Sequence, residues 1–269
     1  VLIRGLGPVP AFGVAGAAFG TAAGTLFSLL YSYYLLEREG FFHGGRWMPD
    51  RAYFKKVGPL FASVLSEQGS ERIGMVLFSR MAAGLGTVPF AVHSICMNIC
   101  DVYYDFIMGF GKAGMVSAGQ AVGRGSMADW QQYRKRGLHW CLLLSTAACV
   151  SILFFKDSLF SIYSSDPALH VLAGPIMVFI ALVSYPEALA LWGAGILRGS
   201  GQTAQVAAYS FLSITFLRPL MTAFFIYVLD MGLIGTWCAL FIDQVIRASC
   251  AAFLVNRLSA KRGFLPDAG

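Results

Sequence analysis

Residues 168–197, "ALHVLAGPIMVFIALVSYPEALALWGAGIL", contain one carboxylate, Glu187, and no lysine or arginine. So long a run with so little charge has few places to fold. About 20 apolar residues suffice for a helix to cross a bilayer. Within lipid, a helix satisfies its own backbone hydrogen bonds segment by segment. Six further apolar segments are read at 12–36, 57–81, 89–112, 137–155, 205–229 and 232–256. The breaks between segments carry turn chemistry: "GFFHGGRWMPD", "AGLGT", "GRGSMADW", "SSDP", "RGSGQT" and "DMGLIG". Composition agrees, with 57% hydrophobic and 13% charged residues against roughly 25% charged in a soluble domain. The expected fold class is all-α integral membrane, with seven transmembrane helices.

The formal net charge of +6 is not spread evenly. Thirteen of the 20 basic residues fall in the first, third and fifth breaks and in the C-terminal tail. The remaining breaks and the N-terminal stub hold only Arg4 and Lys156. This alternation is what the positive-inside rule requires. It puts the C-terminus in the cytoplasm and explains the net charge without nucleic acid; membrane lipid is an expected partner of such a chain. The six cysteines all lie in apolar segments without a CxxC pair and read as buried thiols. The chain opens on Val1 in a Gly- and Pro-rich loop, "VLIRGLGPVP", and is read as a piece of a longer protein. The segments opening "GVAGAAFG" (13–20) and "GLIGTWCA" (232–239) echo one another, as the last helices of two halves of a repeat would.

Ionisable residues inside spanning segments are costly and are functional candidates by default. The acids are Glu67, Glu71, Asp101, Asp105, Glu187 and Asp243; the bases are Arg72, Arg80, Lys112, Arg218 and Arg247. Arg80 and Lys112 sit near segment ends, where they can snorkel. Asp243 and Arg247 are four apart and are expected to neutralise each other. Glu67, in "SVLSEQGSERIG" (63–74), has no base three or four residues on, and Glu187, after Pro186, has none within ten. Pro186 frees a carbonyl one turn back, and broken turns of this kind line polar cavities. A carboxyl in a low-dielectric cavity can take up a proton or a monovalent cation.

Catalytic constellations are weak by comparison. The four histidines form no HExxH, which a zinc protease needs. "YYDFIMGFGK" (103–112) resembles part of the intramembrane aspartyl protease signature, but it ends in Lys112 where a second acid belongs, so Asp105 has no dyad partner. The glycine-rich "GRGS" and "RGSGQT" lack the strand and lysine of a phosphate loop and read as turns.

Six stretches, in order, resemble one family, the multidrug and toxic compound extrusion transporters. "GVAGAAFGT" (13–21) resembles its sixth helix and "SEQGSERIGMVLFSRMAAGLGT" (66–87) its seventh. "AVHSICMNI" (91–99) resembles the start of the eighth, and "AGQAVGRGS" (118–126) the connection to the ninth. "GILRGSGQT" (195–203) resembles the turn after the tenth, and "GLIGTWCALFIDQVIR" (232–247) the twelfth. Two departures stand out: Ser63 occupies the place of the usual proline, with Pro59 a turn earlier, and Gln202 replaces the aspartate of the last turn.

The resemblance implies a division of the chain. Residues 1–36 would be the last helix of an N-terminal lobe, 37–56 a cytoplasmic inter-lobe loop, 57–256 a six-helix C-terminal lobe and 257–269 a cytoplasmic tail. It further implies a plasma-membrane antiporter, not an enzyme. The protein would export small organic, often cationic, compounds in exchange for Na⁺ or H⁺, with no other cofactor, and would work with the missing N-terminal lobe. By the family pattern Glu67 and Glu187 carry the coupling cation, with Gln68, Glu71, Asn98, Asp101 and Tyr185 as cavity candidates. The register leaves open whether Glu67 or Glu71 faces the cavity. A lipid or polysaccharide-precursor flippase of the same fold is the alternative, and Arg72 and Arg218 facing the cavity would favour it. A membrane enzyme and a non-transporting scaffold are further rivals.

Overall fold

Helix ends fall where the sequence supplies local stop and start chemistry. A computed structural model describes residues 13–40, 51–164 and 166–260. Among these the chain is helical in seven runs: α1 (Gly13–Arg38), α2 (Arg51–Ala83), α3 (Thr87–Gly123), α4 (Met127–Ser161), α5 (Pro167–Gly199), α6 (Thr203–Val228) and α7 (Gly232–Ala260). By length and composition α4, α5, α6 and α7 can cross a membrane. The helices overrun the apolar segments, because amphipathic turns such as "MADWQQYRKR" extend them past the apolar stretch. The inter-lobe loop expected over 37–56 is helical to Arg38 and again from Arg51; residues 41–50 lie outside the described residues, as does the tail from 261 on.

The breaks at 124–126 and 200–202 use one device. Gly125 and Gly201 adopt φ of 67° and 79°, where a side chain would be strained. The N–H of Ser126 reaches back to the Ala121 carbonyl at 3.0 Å, and that of Gln202 to the Leu197 carbonyl at 2.9 Å. This is the double closure of a Schellman end. The α4 start after the first break is capped, with Ser126 accepting from the Asp129 N–H at 3.2 Å, whereas Gln202 makes no side-chain cap at the α6 start. At the α5 start Asp166 accepts from the Ala168 N–H at 2.9 Å, ahead of Pro167 at the first helical position.

The chain divides into two compact units, Val1–Lys56 and Val57–Gly269. In the second, α5 is the hub and packs against α3, α4 and α7. It is buried almost throughout from Glu187 to Leu197, while Pro175, Val178 and Leu182 form an exposed stripe on its first half. Backbones approach closely at Gly111 and Gly195, where a methyl group on Gly195 would collide with the Gly111 carbonyl. Small residues permit such crossings between helices. Trp130, buried completely, donates its indole N–H to Ser200 Oγ at 2.8 Å and joins the α4 start to the α5 end. All six cysteines are free; Cys238 and Cys250 are only partly buried, contrary to the sequence reading.

In α6 the helical ladder slips. Residues Phe211–Leu217 and Phe224–Val228 are π-helical, on either side of the short α-helical stretch Arg218–Ala223. Pro219 has no N–H for the carbonyl four residues back, and the Arg218 N–H reaches five back, to Ser213. This five-residue spacing brings Ser213 and Arg218 onto one face. Both meet the buried Asp243 of α7: Ser213 Oγ donates to Oδ1, and Arg218 donates Nε to Oδ2 at 3.0 Å and Nη2 to the same oxygen. The expected Asp243–Arg247 pair is thereby corrected. Asp243 is taken by the guanidinium of the neighbouring helix, whose two-pronged contact a same-helix arginine does not match here.

Two stability tests follow from this packing. Gly195→Ala lowers thermal stability in detergent by about 1–3 kcal/mol through overpacking, whereas Gly109→Ala, at a glycine facing open space, is neutral or gains up to about 1 kcal/mol from helix propensity. Asp243→Asn strands the Arg218 charge and costs about 3–5 kcal/mol, and the double variant Arg218→Met with Asp243→Leu recovers most of that loss; both are read from unfolding midpoints.

Candidate functional site

Helix α2 puts its polar residues on two faces, and the 3.6-residue period decides which. Gln68, Glu71, Arg72 and Met75 recur at i, i+3, i+4 and i+7, and all line a cavity of about 280 Å³. Met97, Cys100, Asp101, Tyr104 and Met108 give it a wall from α3 in the same rhythm, and Leu240, Gln244 and Arg247 give it one from α7. Glu187 of α5 and Arg218 of α6 complete it.

Glu67, Ser70 and Phe78 are buried on the other face of α2. There Thr215 Oγ1 of α6 donates to the Ser70 carbonyl at 3.2 Å. Glu67 does not line the cavity: it is ion-paired with Arg198 at the end of α5. The expectation of a partnerless Glu67 is thus corrected, and the cavity acid of α2 is Glu71. Gln68 Nε2 donates to Glu71 Oε2 at 3.3 Å.

Glu187 is 3% exposed. Gln244 Nε2 donates to its Oε1 at 3.1 Å. Glu187 Oε2 and Gln244 Oε1 have no hydrogen-bond partner among the described residues. Two buried oxygens without protein donors can be completed by a proton, a water molecule or a cation. The backbone just before Glu187 is held firmly, since Tyr103 Oη and Ser145 Oγ both donate to the Ser184 carbonyl, at 2.9 and 3.2 Å. This anchor sits beside Pro186, where the α5 ladder is interrupted.

Of the other sequence candidates, Gln68 and Asp101 line the cavity and two do not. Asn98 is exposed and donates to the Ser94 carbonyl at 3.0 Å. Tyr185 points to α4 and donates to Thr146 Oγ1 at 3.1 Å. Both lie off the helical stripe that faces the cavity. Sequence reasoning missed Gln244 and Arg198. Gln244 carries a local signal, an uncharged polar residue between Asp243 and Arg247 in an apolar helix; Arg198, 131 residues from Glu67, carries none. Arg72 and Arg218 both line the cavity, joined by Arg247, whose Nε is buried without a hydrogen-bond partner. Among the described residues no group of three His, Cys, Asp or Glu side chains could hold a metal ion.

Comparison with known proteins places this geometry. The chain is 28% identical over 186 residues to a probable multidrug resistance protein NorM of Xanthomonas campestris pv. campestris, covering 65% of this chain and 39% of that protein. It is 24% identical over 267 residues to the multidrug resistance protein MdtK of Yersinia enterocolitica, covering 95% of this chain and 57% of that one. The chain spans about half the length of the curated relatives it matches. In fold it is similar to a crystal structure of MATE in the straight conformation, with a TM-score of 0.79 at 18% identity over 96% of this chain and 57% of that one. The MatE family model matches residues 59–224, more than half of the chain, and the protein therefore belongs to the MatE family, whose members are membrane transporters and not enzymes.

Proposed function

We propose that this chain is the C-terminal part of a secondary active antiporter of the plasma membrane, which exports small organic, often cationic, compounds in exchange for Na⁺ or H⁺. Its seven helices all span, the C-terminus is cytoplasmic, and α2 to α7 form one lobe. The second lobe comes from the N-terminal part of the same protein. The two lobes rock about a shared cavity and open it alternately to either side. Glu187 carries the coupling cation, and Glu71 assists it from α2. Binding the cation neutralises the cavity wall and biases the lobes toward the state that releases the organic compound, because a ligand shifts an equilibrium only by its differential affinity for the two states.

One observation carries this reading: Glu187 Oε2, buried without a hydrogen-bond partner among the described residues, on the wall of a cavity of about 280 Å³. A structural carboxylate in a spanning helix is normally matched, as Asp243 is by Arg218. Glu67 plays a different part. Its pair with Arg198 joins α2 to the end of α5 and must open before Glu67 can take a cation, so Glu67 couples by exchanging partners rather than by standing free. The names of the relatives, which concern multidrug resistance, support organic compounds as cargo.

A second reading keeps the fold and changes the cargo. Arg72, Arg218 and Arg247 line the same cavity, and guanidinium groups suit phosphate. A flippase of phosphate-bearing lipid or polysaccharide precursors would use them. Arg218 is committed to Asp243, which leaves Arg72 and Arg247 for such a head group.

Expression from its gene in a bacterium without its own drug pumps separates the possibilities. Glu187→Gln and Glu71→Gln reduce drug resistance to about the empty-vector level at equal membrane abundance, and Glu67→Gln retains part of it. Full resistance in Glu187→Gln would end the coupling role, and a dead Glu67→Gln beside an active Glu71→Gln would return that role to Glu67. Arg72→Gln and Arg247→Gln leave efflux of a cationic dye within about threefold of the parent; loss of growth with efflux retained would instead support the flippase. Efflux measured with Na⁺ and pH varied separately names the ion.

A further inference from the structure

A second cleft lies apart from the cavity and shares no residue with it. It is bounded by α4, α5 and α7, has a volume of about 170 Å³, and is lined mainly by apolar side chains, among them Leu138, Ile196 and Val255. Its polar lining consists of Arg134, Asn256 and Trp192. We propose that this cleft is a binding site for an anionic phospholipid, with the head-group phosphate at Arg134 and Trp192 and the upper acyl chain along the apolar wall.

The hydrogen-bonding inventory points to an anion. Trp192 is 7% exposed, and its indole N–H has no hydrogen-bond partner among the described residues. Arg134 donates Nη1 to Asn256 Oδ1 at 3.1 Å and lies over the Trp130 ring at 6.0 Å, but its buried Nε–H is also unpartnered. A buried donor without an acceptor costs about 1–3 kcal/mol. The two residues that carry these donors line one cleft, and among the described residues no carboxylate lines it. Phosphate oxygens match a guanidinium with adjacent N–H donors.

Placement points to a lipid. Arg134 is near the start of α4, Ile196 near the end of α5 and Asn256 near the end of α7. The Arg134–Asn256 and Trp130–Ser200 hydrogen bonds bring these ends together. All three helices are long and apolar enough to cross a membrane. Each of these residues stands at the edge of its apolar segment (137–155, 168–197 and 232–256), where a spanning helix passes from hydrocarbon to head groups. Exposed Lys135, Arg136 and Arg257 extend the basic surface at the same end. Basic pockets between spanning helices complement anionic head groups, and basic residues at such a surface attract anionic lipid. A free inorganic anion would have no use for the apolar wall.

The test counts lipids retained by the purified protein in native mass spectrometry. Phosphatidylglycerol and phosphatidylcholine with the same oleoyl chains are offered at equal concentration. The parent retains one phosphatidylglycerol with about tenfold preference, and Arg134→Gln abolishes the preference. Trp192→Phe, which keeps the ring and removes the donor, weakens it. Asn256→Asp sets a carboxylate beside Arg134 on an exposed position and removes the preference without touching the core, so the proposal remains testable if the other variants do not fold. Equal retention of the two lipids by the parent overturns it, as does a preference that survives both Arg134→Gln and Asn256→Asp. Displacement of the phospholipid by millimolar inorganic phosphate would show a plain phosphate site and overturn the lipid assignment.

Discussion

Charge inside a spanning helix must be matched within the protein, because lipid offers no hydrogen bonds. The Arg218–Asp243 pair meets this constraint and shapes the elements around it. An arginine and an aspartate, 5% and 1% exposed, would be intolerable singly. Together, with Ser213 on the second carboxylate oxygen, they bind α6 to α7. The π-helical turn before Arg218 is the backbone cost of the arrangement. It replaces regular four-residue hydrogen bonds with a five-residue slip, and it places two donors, five apart in sequence, on a single carboxylate. π-Turns recur at sites with special geometric demands, and here the demand is the buried pair. Such a pair need not raise stability over an apolar substitute; what it fixes is the register of α6 against α7, and with it the position of Arg218 on the cavity wall.

That constraint explains why the buried acids in and around the cavity differ so much in state. Asp243 is saturated. Glu67 is held by Arg198. Glu187 has one oxygen bonded to Gln244 and one without a partner. Three acids of similar intrinsic chemistry thus occupy three environments: one committed to structure, one engaged across a helix boundary, and one open to a ligand. A site that must bind and release a small cation needs the third kind. The Tyr103–Ser145–Ser184 network holds the backbone beside Pro186, so the open carboxylate stands on a fixed support although its own shell is incomplete. Preorganised support around an unsatisfied group is what a functional site requires.

Much of the fold was legible because its signals are local. "GRGS" and "RGSGQT" each contain the left-handed glycine that ends one helix, and "GRGS" also holds the serine that caps the next. The apolar runs located the helices but fell short of their true length, since "MADWQQYRKR" continues α4 as an amphipathic helix beyond the apolar stretch. The slip in α6 was not legible, because Pro219 signals an interrupted ladder without saying how it is repaired. The candidate acids were legible as ionisable groups in apolar segments. Their partners were not. Glu67 meets a residue 131 positions away, and Asp243 meets one 25 away in preference to Arg247 at four. Spacing along one helix identifies who can meet; only the packing of neighbouring helices decides who does.

The two faces of α2 carry the strongest mechanistic implication. Glu67 and Glu71 are one turn apart, yet one faces α5 through Arg198 and the other the cavity. Under the proposed antiport, a cation in the cavity would meet Glu71, Asp101 and Glu187 first, since all three line it. Glu67 can respond only if α2 rotates or if Arg198 leaves. The Arg198 side chain is 25% exposed and Glu67 6%, so the arginine is the partner with room to move. It stands at the end of the hub helix, one residue before its last, Gly199. Movement of the α5 end against α2 would therefore break the ion pair while the Glu187 end of the same helix stays clamped by the Ser184 network. A single helix, fixed at its middle and ion-paired at its end, can link occupancy of the cavity to the contact between α2 and α5, and this link follows from where two carboxylates fall on the turns of one helix.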